Sequence, residues 1–345
     1  MHNKRACYMP MPVVPAKAGT QEAISPRAWI AFAVCIAACV HASAQESYPA
    51  KPVRLVVASS PGGGTDTTAR IISPKLTEFL GQQVVVENRP GAATMIGSEH
   101  VARAAPDGHT LLIAPSPLVI IPSLYRNMRF DPIKDLAPVS KLIVIPQILV
   151  AHPSLPANNL KALMALARAR PGQLDYGAGA YGGHGHMSMA LLLTMTGLNI
   201  NFVPYRSGSA GVVETLSGEV PIMMGNVLSL LPHVRAGKLR AYGVSSLKRT
   251  AALAEFPTIA EAGVPGYDSS QWFGVLAPAS TPRDIVVRLH RELARVLNDA
   301  EIKKRFGIDG GEPDASASPE AFGAFLRADL AKWAMVVKEA GIKQQ

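Results

Sequence analysis

Val53-Arg54-Leu55-Val56-Val57-Ala58-Ser59-Ser60-Pro61-Gly62-Gly63-Gly64-Thr65-Asp66 is the stretch that decides the fold. Its first six residues are almost all apolar and rich in valine, the signature of a buried strand. The glycines break that strand, and Thr65-Asp66 is a good N-cap pair for a helix. Beyond it Ala69, Ile72, Leu76, Phe79 and Leu80 recur at helical spacing. Strand, glycine turn and helix make one βα unit.

The same alternation continues downstream. Val84-Val85-Val86 predicts a second strand, residues 94–104 a helix, Asp107-Gly108 a turn, and Thr110-Leu111-Leu112-Ile113-Ala114 a third strand. That order implies a parallel sheet wrapped by helices. The middle repeats it: residues 142–150 are strand-like, residues 160–170 form a helix that stops at Pro171-Gly172, and Leu174-Asp175-Tyr176 leads into a second glycine-rich loop and a helix through Met187, Ala190, Leu191 and Thr194. Phe202-Val203-Pro204 and residues 239–244 are further strands, and Val212, Val213 and Leu216 mark another helix. Near the end, Thr281-Pro282-Arg283-Asp284 has the form of a capping box with proline at the first helical position, followed by Val286, Leu289, Leu293, Val296 and Leu297 inward. Ser318-Pro319 starts a last helix with Phe322, Leu326, Trp333 and Val337 on one face. Trp272-Phe273-Gly274 precedes strand-like residues 275–278, and the tryptophan reads better as core than as cleft lining. Two glycine-rich strand-to-helix loops suggest two sheets, hence two lobes. Ligands of open α/β sheets sit at the carboxyl ends of the strands, so facing lobes would bring both loops into one cleft.

Each loop has a chemical and a plain reading. In Pro61-Gly62-Gly63-Gly64 no side chain blocks the backbone N–H groups, and the helix start beyond carries about half a positive charge. Together they could hold an anion without lysine or arginine; the alternative is a tight βα turn. In the second loop, Gly177, Gly179 and Gly182 satisfy G-x-G-x-x-G, but no acidic residue lies between Asp175 and Glu214 to take a ribose hydroxyl. A second helix-start anion site fits better than a dinucleotide fold. His184 and His186 lack a third ligand and are expected as packed histidines rather than a metal site. Ser245 and Lys248 match S-x-x-K without the companion S-D-N and K-T-G motifs, and no G-x-S-x-G, H-E-x-x-H or Walker loop occurs. No nucleophile–base set, and so no catalytic residue, is found.

Composition narrows the class. Of 345 residues 48% are hydrophobic and 17% charged, which suits a globular protein with a sizeable core. Arg27, the apolar run of residues 28–40 and Ala42-Ser43-Ala44 have the parts of a secretory signal peptide, with cleavage expected after Ala44 and translation starting at Met1, Met9 or Met11. Ile36-Ala37-Ala38-Cys39 offers a lipoprotein site as the alternative. All three cysteines (Cys7, Cys35, Cys39) precede Ala44, leaving no disulfide, thiol nucleophile or thiolate ligand afterwards. The net charge is +9; Lys4, Arg5, Lys17 and Arg27 against Glu22 account for +3, so residues 45–345 carry +6. That suits an anionic ligand. Scattered basic residues and 6% aromatics do not make a nucleic-acid surface.

Over residues 48–343 the chain resembles the Bug family, the extracytoplasmic solute receptors of tripartite tricarboxylate transporters. The resemblance is carried by Pro61-Gly62-Gly63-Gly64-Thr65-Asp66 with Ala69-Arg70, Val86-Glu87-Asn88-Arg89-Pro90-Gly91-Ala92, Ala105-Pro106-Asp107-Gly108, Val203-Pro204-Tyr205, Leu231-Pro232-His233, Phe256-Pro257-Thr258 and Trp272-Phe273-Gly274. It implies an α/β, type II-like, two-lobe periplasmic binding protein with its ligand cleft between the lobes: residues 1–44 the signal peptide, 45–145 with 269–345 one lobe, and 146–268 the other. It implies a carboxylate held between residues 60–66, partly through ordered water, and residues 181–183. The implied ligand-binding set is Ser60, Pro61, Gly62, Gly63, Thr65, Asp66, Ser116, Tyr181, Gly182, Gly183, Ser207 and Asn226, with no metal and no cofactor. The family usually has Ser or Thr where Gly183 stands, Asp where Pro221 and Gly225 stand, and Gly where Ser207 stands. Loss of an acid at Gly225 points away from a free ammonium group and toward a dicarboxylate or aromatic carboxylate. The expected function is capture of a small carboxylate and its delivery, as a monomer, to the permease subunits of such a transporter. Presentation to a sensor kinase is the alternative, and a secreted enzyme the least favoured.

Overall fold

The computed structural model describes residues 48–179, 181–205, 208–308 and 310–344. The presequence, with its cleavage site and cysteines, and Ser207 lie outside the described residues.

The elements run β1 (Val53–Val57), α1 (Gly64–Leu80), β2 (Val84–Asn88), α2 (Met95–Ala102), β3 (Thr110–Pro115), α3 (Ile121–Leu124), β4 (Leu136–Ile145), β5 (Gln147–Ala151), α4 (Leu160–Ala169), β6 (Asp175–Ala178), α5 (His184–Thr196), β7 (Asn201–Pro204), α6 (Gly208–Ser217), β8 (Ile222–Asn226), α7 (Val227–Arg235), β9 (Arg240–Val244), β10 (Gln271–Pro278), α8 (Arg283–Asn298), α9 (Ala300–Ile308), β11 (Glu312–Pro313) and α10 (Pro319–Glu339). They form a six-stranded sheet, β11-β4-β10-β3-β1-β2, and a five-stranded sheet, β7-β6-β8-β5-β9, each carrying helices. This is a two-lobe α/β fold.

The expected parallel sheets are only partly so. β2, β1 and β3 run parallel, as do β7, β6 and β8. β10 pairs antiparallel with β3 and β4, and β5 antiparallel with β8 and β9. The cause is the way the chain changes sheet. The continuous strand expected over 142–150 is split at Pro146, which has no N–H for a ladder, and the chain leaves one sheet and enters the other there. The return passage meets it: Gln147 N–H donates to Ser245 Oγ at 2.7 Å, and Ser245 Oγ donates to the Ser269 carbonyl at 3.0 Å. Ser245, half of the S-x-x-K match, is thus a buried strut between chain crossings.

One face of the six-stranded sheet (Leu55, Val57, Leu111, Ile113) packs on α1 and α8 through Ile72, Leu76, Leu289 and Leu293. The other face belongs to a core that continues through Trp272, Trp333 and Leu326 to Leu149 and Tyr176 of the second sheet. Trp272 is core, as expected; its Nε1 donates to the buried carboxylate of Asp329 at 2.8 Å. Truncating a buried tryptophan of this kind costs about 3–5 kcal/mol. Helix α10 starts as its sequence predicts, with Ser318 Oγ accepting from Ala321 N–H. Helix α8 does not: Pro282 is its N-cap, and the Thr281 hydroxyl turns back to the Pro278 carbonyl at 2.7 Å instead of closing a capping box.

Candidate functional site

Helix α1 also begins earlier than its sequence suggests. Its N-cap is Gly63 and its first residue Gly64, so Thr65 and Asp66 lie inside the first turn and cap nothing. The first intrahelical bond runs from Thr67 N–H to Gly63 O, leaving the N–H groups of Gly64, Thr65 and Asp66 without intrahelical partners. Asp66 serves the loop instead. One carboxylate oxygen accepts from Gly62 N–H (2.9 Å) and Arg70 Nε (3.0 Å), the other from Asn88 Nδ2 (2.9 Å), and Asn88 also donates to the Ser59 carbonyl. Burial alone would raise the Asp66 pKa; the bonds from Arg70, Gly62 and Asn88 outweigh it, and the pKa is lowered. Asp66 is therefore an ionised staple, charge-balanced by Arg70, that holds Gly62 at φ +78°. Ser60 contributes a carbonyl to the same turn, accepting from Gly63 N–H at 3.3 Å.

The second loop repeats this construction. Gly182 has φ +73°, Gly183 is the N-cap of α5, and the first helical bond is Met187 N–H to Gly183 O. Gly182 N–H is taken by the residue four places on, His186 Nδ1, at 3.0 Å. Pro61-Gly62-Gly63-x-x-Asp66 and Tyr181-Gly182-Gly183-x-x-His186 are thus one structural motif used twice. Aligning the loops on their paired glycines, rather than on G-x-G-x-x-G, is the sequence signal that would have found it. His186 is stacked on Phe202 at 4.0 Å and lies under the exposed ring of Tyr181. Burial pushes its pKa down to about 4, so it is a neutral acceptor with its proton on Nε2.

The two loops are linked through β3 and β10. Gly64 sits against the Phe273 ring, where an added Cβ would be 3.1 Å from Cζ. Phe273 pairs with Pro115, and the next residue, Ser116, bonds His184 Nδ1 at 3.2 Å. His184 Nε2 meets the Ser269 carbonyl at 2.9 Å, so that nitrogen carries the proton and the Ser116 hydroxyl donates. Burial holds the His184 pKa at about 4, against the opposing pull of the Ser269 carbonyl. Ser116, expected as a ligand contact, is fully buried and committed to this strut. Both histidines are packed, as the sequence suggested.

Asn226 ends β8, which runs parallel to β6, so it shares a sheet edge with the second loop. Gly225 beside it is buried, and a Cβ there would lie 2.9 Å from Leu230 Cδ1, so a side chain at this position requires Leu230 to shift. Sequence reading also missed Gly185, where a Cβ would overlap the Met224 carbonyl and hold α5 off β8. The electrostatics are simple. Asp66 and Arg70 cancel, His184 and His186 are neutral, and what remains is backbone N–H at two helix starts, each with about half a positive charge. Such an arrangement can hold an anion. Among the described residues no helix is long and apolar enough to cross a membrane.

Comparison with known proteins shows the family and the fold. Residues 68–342 match the family described as "Tripartite tricarboxylate transporter family receptor". Protein BugT of Bordetella pertussis is 37% identical over 300 residues, covering 86% of this chain and 92% of that protein. The structure of an R. palustris protein with adipate is 38% identical, covers 86% of this chain and 100% of that one, and superposes with a TM-score of 0.74. MatC from Rhodopseudomonas palustris with bound malate is 28% identical, with coverage of 84% and 100% and a TM-score of 0.70.

Proposed function

The chain belongs to the tripartite tricarboxylate transporter receptor family, and we propose that it is a periplasmic receptor that captures a small dicarboxylate and delivers it to the membrane permease of such a transporter. The family is one of receptors, and the chain is not an enzyme. We take residues 45–145 with 269–345 as one lobe and 146–268 as the other, closing over the ligand. One ligand carboxylate is held by the free N–H groups at the starts of α1 and α5. The observation that carries this reading is the duplicated glycine turn, each copy fixed by a side chain four residues on. Two helix ends give about 0.3–2 kcal/mol each; with several hydrogen bonds they support micromolar binding, roughly −8 kcal/mol. The dicarboxylate class is supported by the adipate and malate in the two similar structures and by the lack of an acid at Gly225.

A thermal-shift screen of the purified protein against adipate, malate, benzoate, glutamate and a neutral sugar tests this. A dicarboxylate at 100 times its dissociation constant should add about 2.7 kcal/mol of stability, and glutamate and the sugar should add none. Stabilisation by the sugar alone, or by no carboxylate, would overturn the reading.

A further inference from the structure

Helix α10 starts beside the six-stranded sheet and ends beside the second glycine turn. Near its start Phe322 packs edge-on to Trp272 of β10, and further on Trp333 packs edge-on to His184 of α5. The way the helix ends is written in its sequence. Gly341 has φ +62°; its N–H donates to the Lys338 carbonyl at 3.2 Å, and Ile342 N–H donates to the Val337 carbonyl at 3.0 Å. This is a Schellman ending, in which a left-handed glycine turns the chain back and the next apolar residue packs on the helix. Ile342 does so, half-buried against the core that contains Val337. Residues 340–343 are thereby aimed at the second turn.

Two contacts join them to it. The Tyr181 hydroxyl donates to the Lys343 carbonyl at 3.2 Å. Glu339, Ala340 and Ile342 form one wall of a cavity of about 600 Å³, and Tyr176, His186 and Phe202 stand on another. Tyr181 and His186 are the side chains next to the turn's geometry. His186 takes Gly182 N–H, and Tyr181, which immediately precedes Gly182, lies over the His186 ring at 5.1 Å between centroids. Below, the His186 ring rests on Phe202 at 4.0 Å, and Phe202 on Tyr176 at 5.3 Å. The column is buried at Tyr176 and His186, but its top ring, Tyr181, is 37% exposed. Packing alone does not fix that ring, and the bond to the tail gives it a second point of attachment.

We propose that residues 340–343 are a positioning strap for the second glycine turn: the tail holds the Tyr181 ring over His186, and the ring keeps His186 on Gly182 N–H. The strap rests on the carboxylate reading, because the turn it holds is one half of the proposed site. The bond is made by the main-chain carbonyl of Lys343, so the strap needs the chain at that position and not the lysine charge.

Calorimetry with adipate tests this on the purified protein, on Tyr181→Phe, on Lys343→Ala, on a chain ending at Gly341, and on that shortened chain carrying Tyr181→Phe. Affinity should fall about threefold to tenfold in Tyr181→Phe, the range of one hydrogen bond, and at least about threefold in the shortened chain. The combined variant should bind no more weakly than the shortened chain alone, because both changes break one contact. Lys343→Ala keeps the carbonyl and should bind as wild type does. Without ligand, Gly182 N–H should exchange with solvent at least about tenfold faster in the shortened chain than in Lys343→Ala, as expected when a local contact opens. Wild-type affinity and exchange in the shortened chain, losses that multiply in the combined variant, or a loss in Lys343→Ala equal to that of the shortened chain would each overturn the strap. A wild type that binds neither adipate nor malate counts against the carboxylate site, and the exchange comparison, which needs no ligand, then decides the strap by itself.

Discussion

Gly182→Val should abolish carboxylate binding, lowering affinity at least about 100-fold, or 2.7 kcal/mol. Gly182 sits at φ +73°, a region that costs a non-glycine residue about 1–2 kcal/mol and a β-branched one more. A Cβ there would also overlap Leu124 Cδ1, and Leu124 is itself only 3% exposed, at the end of α3. The side chain cannot turn away without disturbing a packed neighbour, so the backbone must move. Gly182 N–H then leaves His186, and the α5 start loses its aim. We expect a stability loss of about 2–4 kcal/mol in addition to the binding loss. Gly197→Val separates the two effects. Gly197 has φ +63° at the other end of the same helix with nothing within 4 Å of an added Cβ. It should lose stability through strain alone and keep its affinity. Calorimetry and denaturant unfolding on both variants check this.

Asp66→Ala should do comparable damage by another route. The Asp66 side chain is 4% exposed, and all its partners, Gly62 N–H, Arg70 Nε and Asn88 Nδ2, are donors. Removing the acceptor frees Gly62 and leaves the Asn88 Nδ2 donor with only the Ser59 carbonyl, a cost of about 2–3 kcal/mol. Affinity should fall about tenfold to 100-fold because the loop is no longer fixed, although Asp66 itself is charge-balanced by Arg70. Asp66→Asn is the sharper test. An amide has one donor face, and here it would meet only donors, so asparagine should fall nearly as far as alanine. A carboxylate serving only as a spacer would tolerate asparagine with little change. Protonation acts in the same direction. The folded-state pKa is lowered, so the stabilisation from Asp66 is complete above the unfolded value of 3.8 and is lost as pH falls through the folded one.

Much of the fold was legible because local and tertiary preferences agree. The apolar run at β1, the glycine break and the α1 periodicity each name one outcome, and Ser318-Pro319 caps α10 as its chemistry suggests. The misreadings share a cause: a side chain found a partner other than the helix-start N–H that its motif suggests. Asp66 looks like a cap residue, but Asn88 on β2 and Arg70 draw it into the loop. Thr281 looks like a capping box, but the Pro278 carbonyl is nearer. Antiparallel β10 was only half legible, because Gln271 and Trp272 become strand residues by pairing with Ile145 and Val144, which no local pattern announces. The duplicated turn was present in the sequence at Gly62-Gly63 and Gly182-Gly183, but an acidic staple in one copy and an imidazole in the other hid their equivalence.

The most direct measurement is a crystal structure of the purified protein with adipate bound. The account predicts one adipate carboxylate lying between the starts of α1 and α5, within hydrogen-bond reach, directly or through one water, of N–H groups from both Gly64–Asp66 and His184–His186, with the Asp66 and His186 side chains still on Gly62 and Gly182. Adipate held by side-chain cations elsewhere, or touching only one of the two helix starts, would contradict it.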